Sequence, residues 1–159
     1  SYALLKSAKE NGINTAVETT SFADFSVIER VLPFIDNYLM DIKHMNAAKH
    51  EEFIGKTNEV PLENAQKIAE RANRMVVRVP VIPTFNDTEE EIGEIARFAS
   101  SLPNVKEIHL LPYHRLGQDK YRFLNREYLL SGIEPIKDEK LERLLAAANI
   151  GGLTAQIGG

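Results

Sequence analysis

Short apolar segments alternate with amphipathic helical segments along the chain, and this alternation constrains the fold more than any other feature. The spacing of apolar residues predicts helices over 2–9, 25–32, 46–53, 62–72, 88–100 and 138–148. The segments between them are rich in apolar and β-branched residues and are predicted to be strands, over 15–19, 38–43, 75–82, 105–113 and 153–157. This order is typical of a parallel sheet covered by helices. We therefore expect an α/β fold with parallel strands, and an irregular segment over 116–131.

The composition is that of a globular chain and excludes several classes of function. The 159 residues are enough for one domain with a hydrophobic core, and we expect a single domain over 1–159. The net charge is −4 and no basic stripe is present, which argues against a nucleic-acid partner. We find no apolar run near the length of a membrane span and no signal peptide, so we expect a cytoplasmic protein without a membrane partner.

The sequence contains no cysteine. Disulfides, thiolate nucleophiles and cysteine-ligated zinc or iron–sulfur centres are therefore excluded within these residues. A chain without cysteine fits an intracellular protein, because structural disulfides are rare in that compartment.

Charged residues stand at the ends of four predicted strands, where a buried strand has little reason to carry them. The second strand ends at Asp41 and Lys43, which as residues i and i+2 of a strand point to the same face. The first strand ends at Glu18, the third carries Arg78, and the fourth ends at His114. In a right-handed βαβ array these ends open on one side of the sheet. We predict one mouth lined by these five residues, suited to a polar, zwitterionic or phosphate-bearing small molecule.

Each of these residues also has a structural interpretation. Asp41 and Lys43 could form an ion pair at the end of a strand. Arg78 could pair with Asp41 or Glu18 inside the sheet. His114 could be satisfied by backbone groups at the start of a loop, and Glu18 could be a solvated acid. Charge at one strand end carries little information, whereas charge at four consecutive ends favours a binding site.

Other polar residues are interpreted as structural. Asp87 is expected to cap the helix that follows it. His44, His50 and His109 are expected at the surface or in local packing. His44 and Asp41 could both contact a metal ion, but two candidate ligands without a third are weak support for a metal site.

Four segments of the chain resemble one protein family in their order and spacing. They are Val17-Glu18-Thr19, Met40-Asp41-Ile42-Lys43, Arg78-Val79-Pro80-Val81-Ile82-Pro83 with Asn86-Asp87, and Leu110-Leu111-Pro112-Tyr113-His114 with Gly117 and Lys120-Tyr121. In these segments the chain is similar to the glycyl-radical-enzyme activating enzymes, typified by pyruvate formate-lyase activating enzyme, within the radical S-adenosylmethionine superfamily. The resemblance covers nearly the whole chain.

The resemblance implies a fold, a chemistry and a partner. The fold would be a partial TIM-like barrel of about six βα units, against eight in a full barrel. The parent enzyme would hold a [4Fe–4S] cluster on three cysteines near its N-terminus, cleave S-adenosylmethionine reductively and remove a hydrogen atom from a glycine of a partner enzyme. Pyruvate formate-lyase is the default partner, although activators of dehydratases and decarboxylases are similar over this region.

The resemblance also implies roles for individual residues. The residues expected to contact S-adenosylmethionine are Asp41, Lys43, Arg78 and His114. Asp41 and Lys43 would reach its ribose and methionyl ends. The residues that match a monovalent-cation site near the cofactor carboxylate are Glu18, Thr19 and Asp41, with Glu18 standing where an aspartate is common.

The chain departs from the family pattern in three respects. The cysteines of the cluster motif are absent, and so is the Gly-Gly-Glu segment that binds the methionyl amine. The chain also begins within a predicted helix, so we interpret it as a C-terminal fragment of an activating enzyme, truncated at the N-terminus. We expect this fragment to hold no cofactor and to be inactive, because an iron–sulfur cluster requires thiolate ligands. Finally, Thr20-Ser21 stands where the family often has a residue followed by glycine, which changes a turn.

Two other function classes remain open. One is a different α/β-barrel enzyme that uses Asp41, Lys43 and His114 directly, for example through a lysine Schiff base. An adjacent acid argues against that chemistry, because it keeps the lysine protonated. The other class is a cluster-free binding module. A truncated barrel would also expose the strand over 15–19 and apolar helix surface, so we expect the fragment to self-associate.

Overall fold

Five parallel strands form one sheet, and their order in space follows their order along the chain. The computed structural model of the protein describes residues 1–115, 118–127, 130 and 132–158. The strands are β1 (Ala16–Thr19), β2 (Asn37–Asp41), β3 (Met75–Val81), β4 (Val105–Pro112) and β5 (Thr154–Ile157). Each neighbouring pair is parallel, so the carboxyl ends of all five strands lie at the same edge of the sheet.

One helix precedes β1 and others connect successive strands, as the alternating sequence pattern predicts. They are α1 (Tyr2–Glu10), α2 (Phe25–Val31), α3 (Ala47–Ile54), α4 (Glu59–Ala69), α5 (Glu89–Ser101), α6 (Gln118–Phe123) and α7 (Asp138–Ala148). A short 3-10 helix, Leu32–Phe34, follows α2. The prediction of an α/β fold with a parallel sheet is therefore confirmed. Within the described residues, no helix is long and apolar enough to cross a membrane.

Two helices differ from the prediction by more than one residue. α6 lies inside the segment predicted to be irregular, so that prediction is wrong over 118–123. Tyr121 and Phe123 remain exposed on α6, so the described side chains of this helix form no buried apolar stripe of the kind by which a helix is recognised in a sequence. α4 begins three residues before its predicted start, because Pro61 is tolerated in the first turn of a helix.

The core lies on the side of the sheet that the helices cover. Side chains alternate between the two faces of a strand, and alternate residues of β3 and β4 are fully buried on this side. They pack with the apolar side of α5, and the buried residues of these three elements include Val77, Val79, Val81, Ile108, Leu110, Ile92, Ile95, Ala96 and Ala99. The apolar spacing of both strands and helix thus accounts for one continuous core.

The opposite face of the sheet carries several polar side chains. Arg78 lies between Val77 and Val79 in the sequence and therefore points to the other side of β3. Asp41 of β2 and His109 of β4 are its direct partners in the sheet register. A row of polar residues thus crosses three neighbouring strands.

Side chains cap the starts of α2 and α5. Asp24 accepts a hydrogen bond from the Ser26 backbone N–H and caps α2. The predicted cap of α5 by Asp87 is wrong, because the Thr88 hydroxyl accepts from the Glu91 N–H in that position. Asp87 instead accepts from Thr84 N at 2.9 Å, within the preceding loop.

We expect Ile108→Ala to lower the free energy of unfolding by about 2–5 kcal/mol, because Ile108 is fully buried at the centre of the sheet. Urea denaturation followed by circular dichroism measures this loss. Leu4→Ala is the control, since Leu4 is 75% exposed, and it should change stability by less than about 0.5 kcal/mol. Equal effects of the two substitutions would contradict the position of the core.

Candidate functional site

Four of the predicted site residues form one connected series of ion pairs at the carboxyl ends of β1, β2 and β3. The Arg78 guanidinium lies 2.7 Å from Glu18 Oε1 through Nη1 and 3.2 Å from Asp41 Oδ1 through Nε. Lys43 Nζ lies 3.3 Å from the other oxygen of Asp41. We call Glu18, Arg78, Asp41 and Lys43 the ion-pair cluster. The predicted proximity of Asp41 to Lys43, and the predicted pairing of Arg78, are both present.

The ion-pair cluster is largely removed from water, although one end is open. The side chains of Arg78, Asp41 and Lys43 are 13%, 17% and 21% exposed, and that of Glu18 is 62% exposed. Two cations and two anions balance one another, so the cluster carries no net charge. Removal of a single member would leave a partly buried charge without its partner, which is costly.

Lys43 lies beyond the end of β2 rather than within it. The Ile42 N–H donates to the Arg78 carbonyl at 2.9 Å, and β2 ends at Asp41. The predicted strand therefore extends two residues too far. Side chains from other elements, and not the sheet, hold the backbone that follows.

Buried polar side chains hold the segment from Lys43 to Met45. Asn86 Nδ2 donates to the Lys43 carbonyl at 2.7 Å. Asn58 Nδ2 donates to the carbonyls of His44 and Met45 at 2.9 and 2.7 Å. No structural role was predicted for either asparagine, although Asn86 belongs to a segment that resembles the family, because asparagine is usually exposed and its residue type alone does not indicate burial.

The loop after β1 is held in the same way. Asn64 Nδ2 donates to the carbonyls of Ser21 and Ala23 at 2.8 and 2.9 Å. Ser21 has a φ of 57°, a left-handed conformation that favours glycine. Its hydroxyl contacts Tyr38 Oη at 2.8 Å. The turn predicted to differ from the family pattern thus keeps a glycine-like backbone with a serine in place.

The residues proposed for a monovalent cation are only partly brought together. Glu18 and Asp41 lie on either side of Arg78, so an added cation would compete with the guanidinium for both carboxylates. Thr19 is next to Glu18 on β1 and points to the opposite face, where its hydroxyl accepts from Ser21 N at 2.9 Å. The described residues contain no group of three histidines or acids placed to hold a metal ion.

His114 lies apart from the ion-pair cluster. It is exposed after β4 and lines an open hollow of about 570 Å³ together with Pro80, Ile82 and Tyr121. The structure records no contact between His114 and the cluster. Gly117, which also belongs to the segments that resemble the family, lies outside the described residues.

The histidines expected at the surface or in local packing are all buried. His50 Nδ1 donates to the Lys56 carbonyl at 2.6 Å, and His109 Nε2 lies 3.5 Å from Glu107. His44 Nδ1 lies 2.9 Å from Glu91 Oε1 and also accepts from Asn46 N at 3.0 Å. The interpretation as local packing is therefore correct and the surface alternative is wrong.

Burial favours the uncharged forms of His44 and Glu91. It lowers the pKa of His44 below its ordinary value of 6.5, and the nearby Lys49 and His50 act in the same direction. Burial also raises the pKa of Glu91 above 4.5, against the opposing effect of the Met45 N–H, which donates to Glu91 Oε1 at 2.6 Å. The contact joins α5 to the segment after β2, and burial opposes the charged form of each partner.

Asp41 and Lys43 also line a small pocket of about 70 Å³. Its remaining walls are mostly apolar and include Phe22, Ile54 and Leu62. The site therefore offers charged groups beside an apolar wall, at the edge of the sheet where parallel α/β proteins bind ligands.

Comparison with known proteins identifies relatives over most of the chain. The isethionate sulfite-lyase activating enzyme of Oleidesulfovibrio alaskensis is 43% identical over 147 residues, which are 91% of this chain and 46% of that enzyme. The 4-hydroxyphenylacetate decarboxylase activating enzyme of Clostridioides difficile is 41% identical over 143 residues, which are 89% of this chain and 45% of that enzyme. The chain is homologous to the glycyl-radical-enzyme activating enzymes. The predicted family is therefore confirmed.

A solved structure supports the same relationship. A domain of pyruvate-formate lyase-activating enzyme from Bacteroides vulgatus matches with a TM-score of 0.81 and 28% identity, over 99% of this chain and 89% of that one. The open parallel sheet corresponds to part of the (β/α) barrel of radical S-adenosylmethionine enzymes, as the resemblance predicted. No protein-family model matches the sequence.

The chain spans about half the length of the activating enzymes that it matches. Its residues fit S-adenosylmethionine, because the ion-pair cluster offers cations for a carboxylate and acids for an ammonium or hydroxyl groups. They do not fit an iron–sulfur cluster, because the 159 residues include no cysteine.

We expect wild-type protein to lose stability relative to a His44→Gln variant as the pH falls from about 7.5 to about 5.5. Since the pKa of His44 is lowered on folding, the unfolded state takes up a proton below pH 6.5 before the folded state does. Glu91, with a raised pKa, has the opposite effect, but it is present in both proteins and largely cancels in the difference. Urea titrations across this range measure the effect, and parallel stability curves would contradict it.

Proposed function

We propose that this chain supplies the S-adenosylmethionine-binding part of an enzyme that generates a glycyl radical on a partner enzyme. The ion-pair cluster of Glu18, Arg78, Asp41 and Lys43 is the observation that carries the proposal. The ion-pair cluster lies at the carboxyl edge of a parallel sheet, in a chain homologous to activating enzymes. We propose that the chain forms a single domain.

The charges of the ion-pair cluster match those of the methionyl end of S-adenosylmethionine. The ligand carries a carboxylate and an ammonium group at that end, and hydroxyl groups on its ribose. Arg78 and Lys43 can bind the carboxylate, while Asp41 and Glu18 can accept hydrogen bonds from the ammonium and hydroxyl groups. The ligand would replace existing ion pairs with new ones, so each partly buried charge would keep a partner.

The size of the pocket indicates how the ligand would lie. A pocket of about 70 Å³ holds one end of such a ligand, since sites that enclose a whole small molecule are about 300–1,000 Å³. We propose that one end enters beside Lys43 and that the remainder lies over the polar face of the sheet. His114 would then approach the ligand from the neighbouring hollow, and a monovalent cation beside Glu18, Thr19 and Asp41 stays a prediction.

The chemistry of the whole enzyme would require a [4Fe–4S] cluster, which supplies the electron for cleavage of S-adenosylmethionine when bound. Its thiolate ligands would have to come from outside these 159 residues, because they include no cysteine. We propose that this chain by itself does not cleave S-adenosylmethionine. We also propose that the complete enzyme acts in the cytoplasm.

The partner is proposed as a class. The relatives are named as activators of isethionate sulfite-lyase and of 4-hydroxyphenylacetate decarboxylase, and the solved domain belongs to an activator of pyruvate formate-lyase. We propose a glycyl radical enzyme as the partner, with pyruvate formate-lyase as the first candidate to test. A Schiff-base enzyme is disfavoured, because Lys43 Nζ forms an ion pair with Asp41 at 3.3 Å, and this pair occupies the nitrogen that a Schiff base would need.

In the complete enzyme, we expect Lys43→Ala or Arg78→Ala to weaken binding of S-adenosylmethionine by roughly 1.5–3 kcal/mol, the value of a hydrogen bond to a charged group. Isothermal titration calorimetry measures the change, and the absorbance of the iron–sulfur cluster should stay the same. Lys106→Ala is the control, since Lys106 is an exposed cation on β4. Unchanged affinity in both the Lys43→Ala and the Arg78→Ala variant would refute the proposed site.

We expect the 159-residue chain to self-associate. β1 lies at an edge of the sheet, and edge strands can pair with another chain. Leu4, Ile13 and Val27, on or near α1 and α2, are 75%, 58% and 56% exposed. Light scattering at increasing concentration measures the mass, and Leu4→Lys should reduce association. A monomeric mass at high concentration would count against this prediction.

A further inference from the structure

We propose that Asn86 is a positioning residue, which fixes the backbone of Lys43 so that its ammonium group is placed for ligand binding. This inference rests on the proposed function of the ion-pair cluster. The Asn86 side chain contacts the ion-pair cluster at the backbone carbonyl of Lys43 and not at its charged groups. We therefore do not assign Asn86 a catalytic role.

The need for a positioning residue arises from where the sheet ends. The hydrogen bond from Ile42 N to the Arg78 carbonyl is made just after the last residue of β2. Lys43 follows it, at the point where the chain turns away toward α3. Without a further contact, the position of Lys43 relative to Arg78 would depend on a flexible turn.

Asn86 supplies that contact with nearly its full hydrogen-bonding capacity. It is completely buried. Its Nδ2 group donates to the Lys43 carbonyl at 2.7 Å and to the Pro80 carbonyl at 2.9 Å, and its Oδ1 accepts from Ile82 N at 2.7 Å. One side chain therefore joins the segment after β2 to the end of β3, the strand that carries Arg78.

The cost of burying Asn86 indicates that this connection has a purpose beyond packing. A buried amide destabilises the fold unless its hydrogen bonds are made, and an apolar residue could fill the same volume. Asn58 and Asn64 likewise each donate to two loop carbonyls. Three buried asparagines thus fix loops at the carboxyl edge of the sheet, and Asn86 is the one that binds Lys43.

The test is a double-mutant cycle on the complete enzyme, with the dissociation constant of S-adenosylmethionine as the readout. We expect Asn86→Ala to raise this constant about tenfold, because a loosely held site loses affinity. In a Lys43→Ala background, the same substitution should change it by less than about twofold, since Asn86 acts through Lys43. Asn86→Asp, which keeps the shape and the acceptor but loses the amide donors, serves as the second variant.

Leu144→Ala is the matched control for a general loss of stability, because Leu144 is fully buried on α7. It should lower the melting temperature and leave the dissociation constant unchanged. Hydrogen exchange on the 159-residue chain gives an independent readout. Asn86→Ala should accelerate exchange at the amides of Met45 and Asn46, whereas Leu144→Ala should not do so selectively.

The outcomes separate the two proposals. If Lys43→Ala weakens binding and Asn86→Ala does not, the positioning role is refuted and the proposed function stands. If the effects of the two substitutions on the dissociation constant add in the double variant, Asn86 affects binding independently of Lys43 and the positioning role is again refuted. If Lys43→Ala alone leaves binding unchanged, the positioning role fails. If Arg78→Ala also leaves it unchanged, the proposed function fails as well.

Discussion

The guanidinium group of Arg78 imposes the central constraint on this structure. A cation on the middle strand of a sheet, with 13% of its side chain exposed, requires anions within reach. Asp41 on β2 meets that requirement as the direct partner of Arg78 in the sheet register, and Glu18 meets it from β1. The second carboxylate oxygen of Asp41 is free of Arg78 and pairs with Lys43. The three strands are therefore joined on their polar face by charge as well as by backbone hydrogen bonds.

One face of the sheet forms the core, and the other face carries the proposed binding site. Val77 and Val79 point toward the helices and are fully buried, whereas Arg78 between them points away. This arrangement lets the polar face vary in chemistry while the core remains apolar. The homologues, which carry the names of activators for different partners, match this chain over about nine-tenths of its length.

Most of the fold could be predicted from the sequence, because apolar residues recur at different spacings in strands and in helices. Asp41, Lys43 and Arg78 could be predicted to meet, since their strands were recognised and their faces follow from alternation. His114 was placed with them because it also follows a strand, but a residue in a loop can point elsewhere. The role of Asn86 could not be predicted, because it depends on which carbonyls lack a partner at the end of β2, and that is decided by the packed structure.

The side chains that fix the edge of the sheet all come later in the chain than the loops they hold. Asn64 binds the loop after β1, and Asn58, Asn86 and Glu91 bind the segment after β2. Arg78 likewise follows both of its acidic partners. During synthesis on the ribosome, the loop after β1 would therefore lack its contacts until Asn64 had emerged, and the segment after β2 would gain its last contact only with Glu91. The ion-pair cluster could not be complete before Arg78 had emerged, long after Glu18 and Asp41.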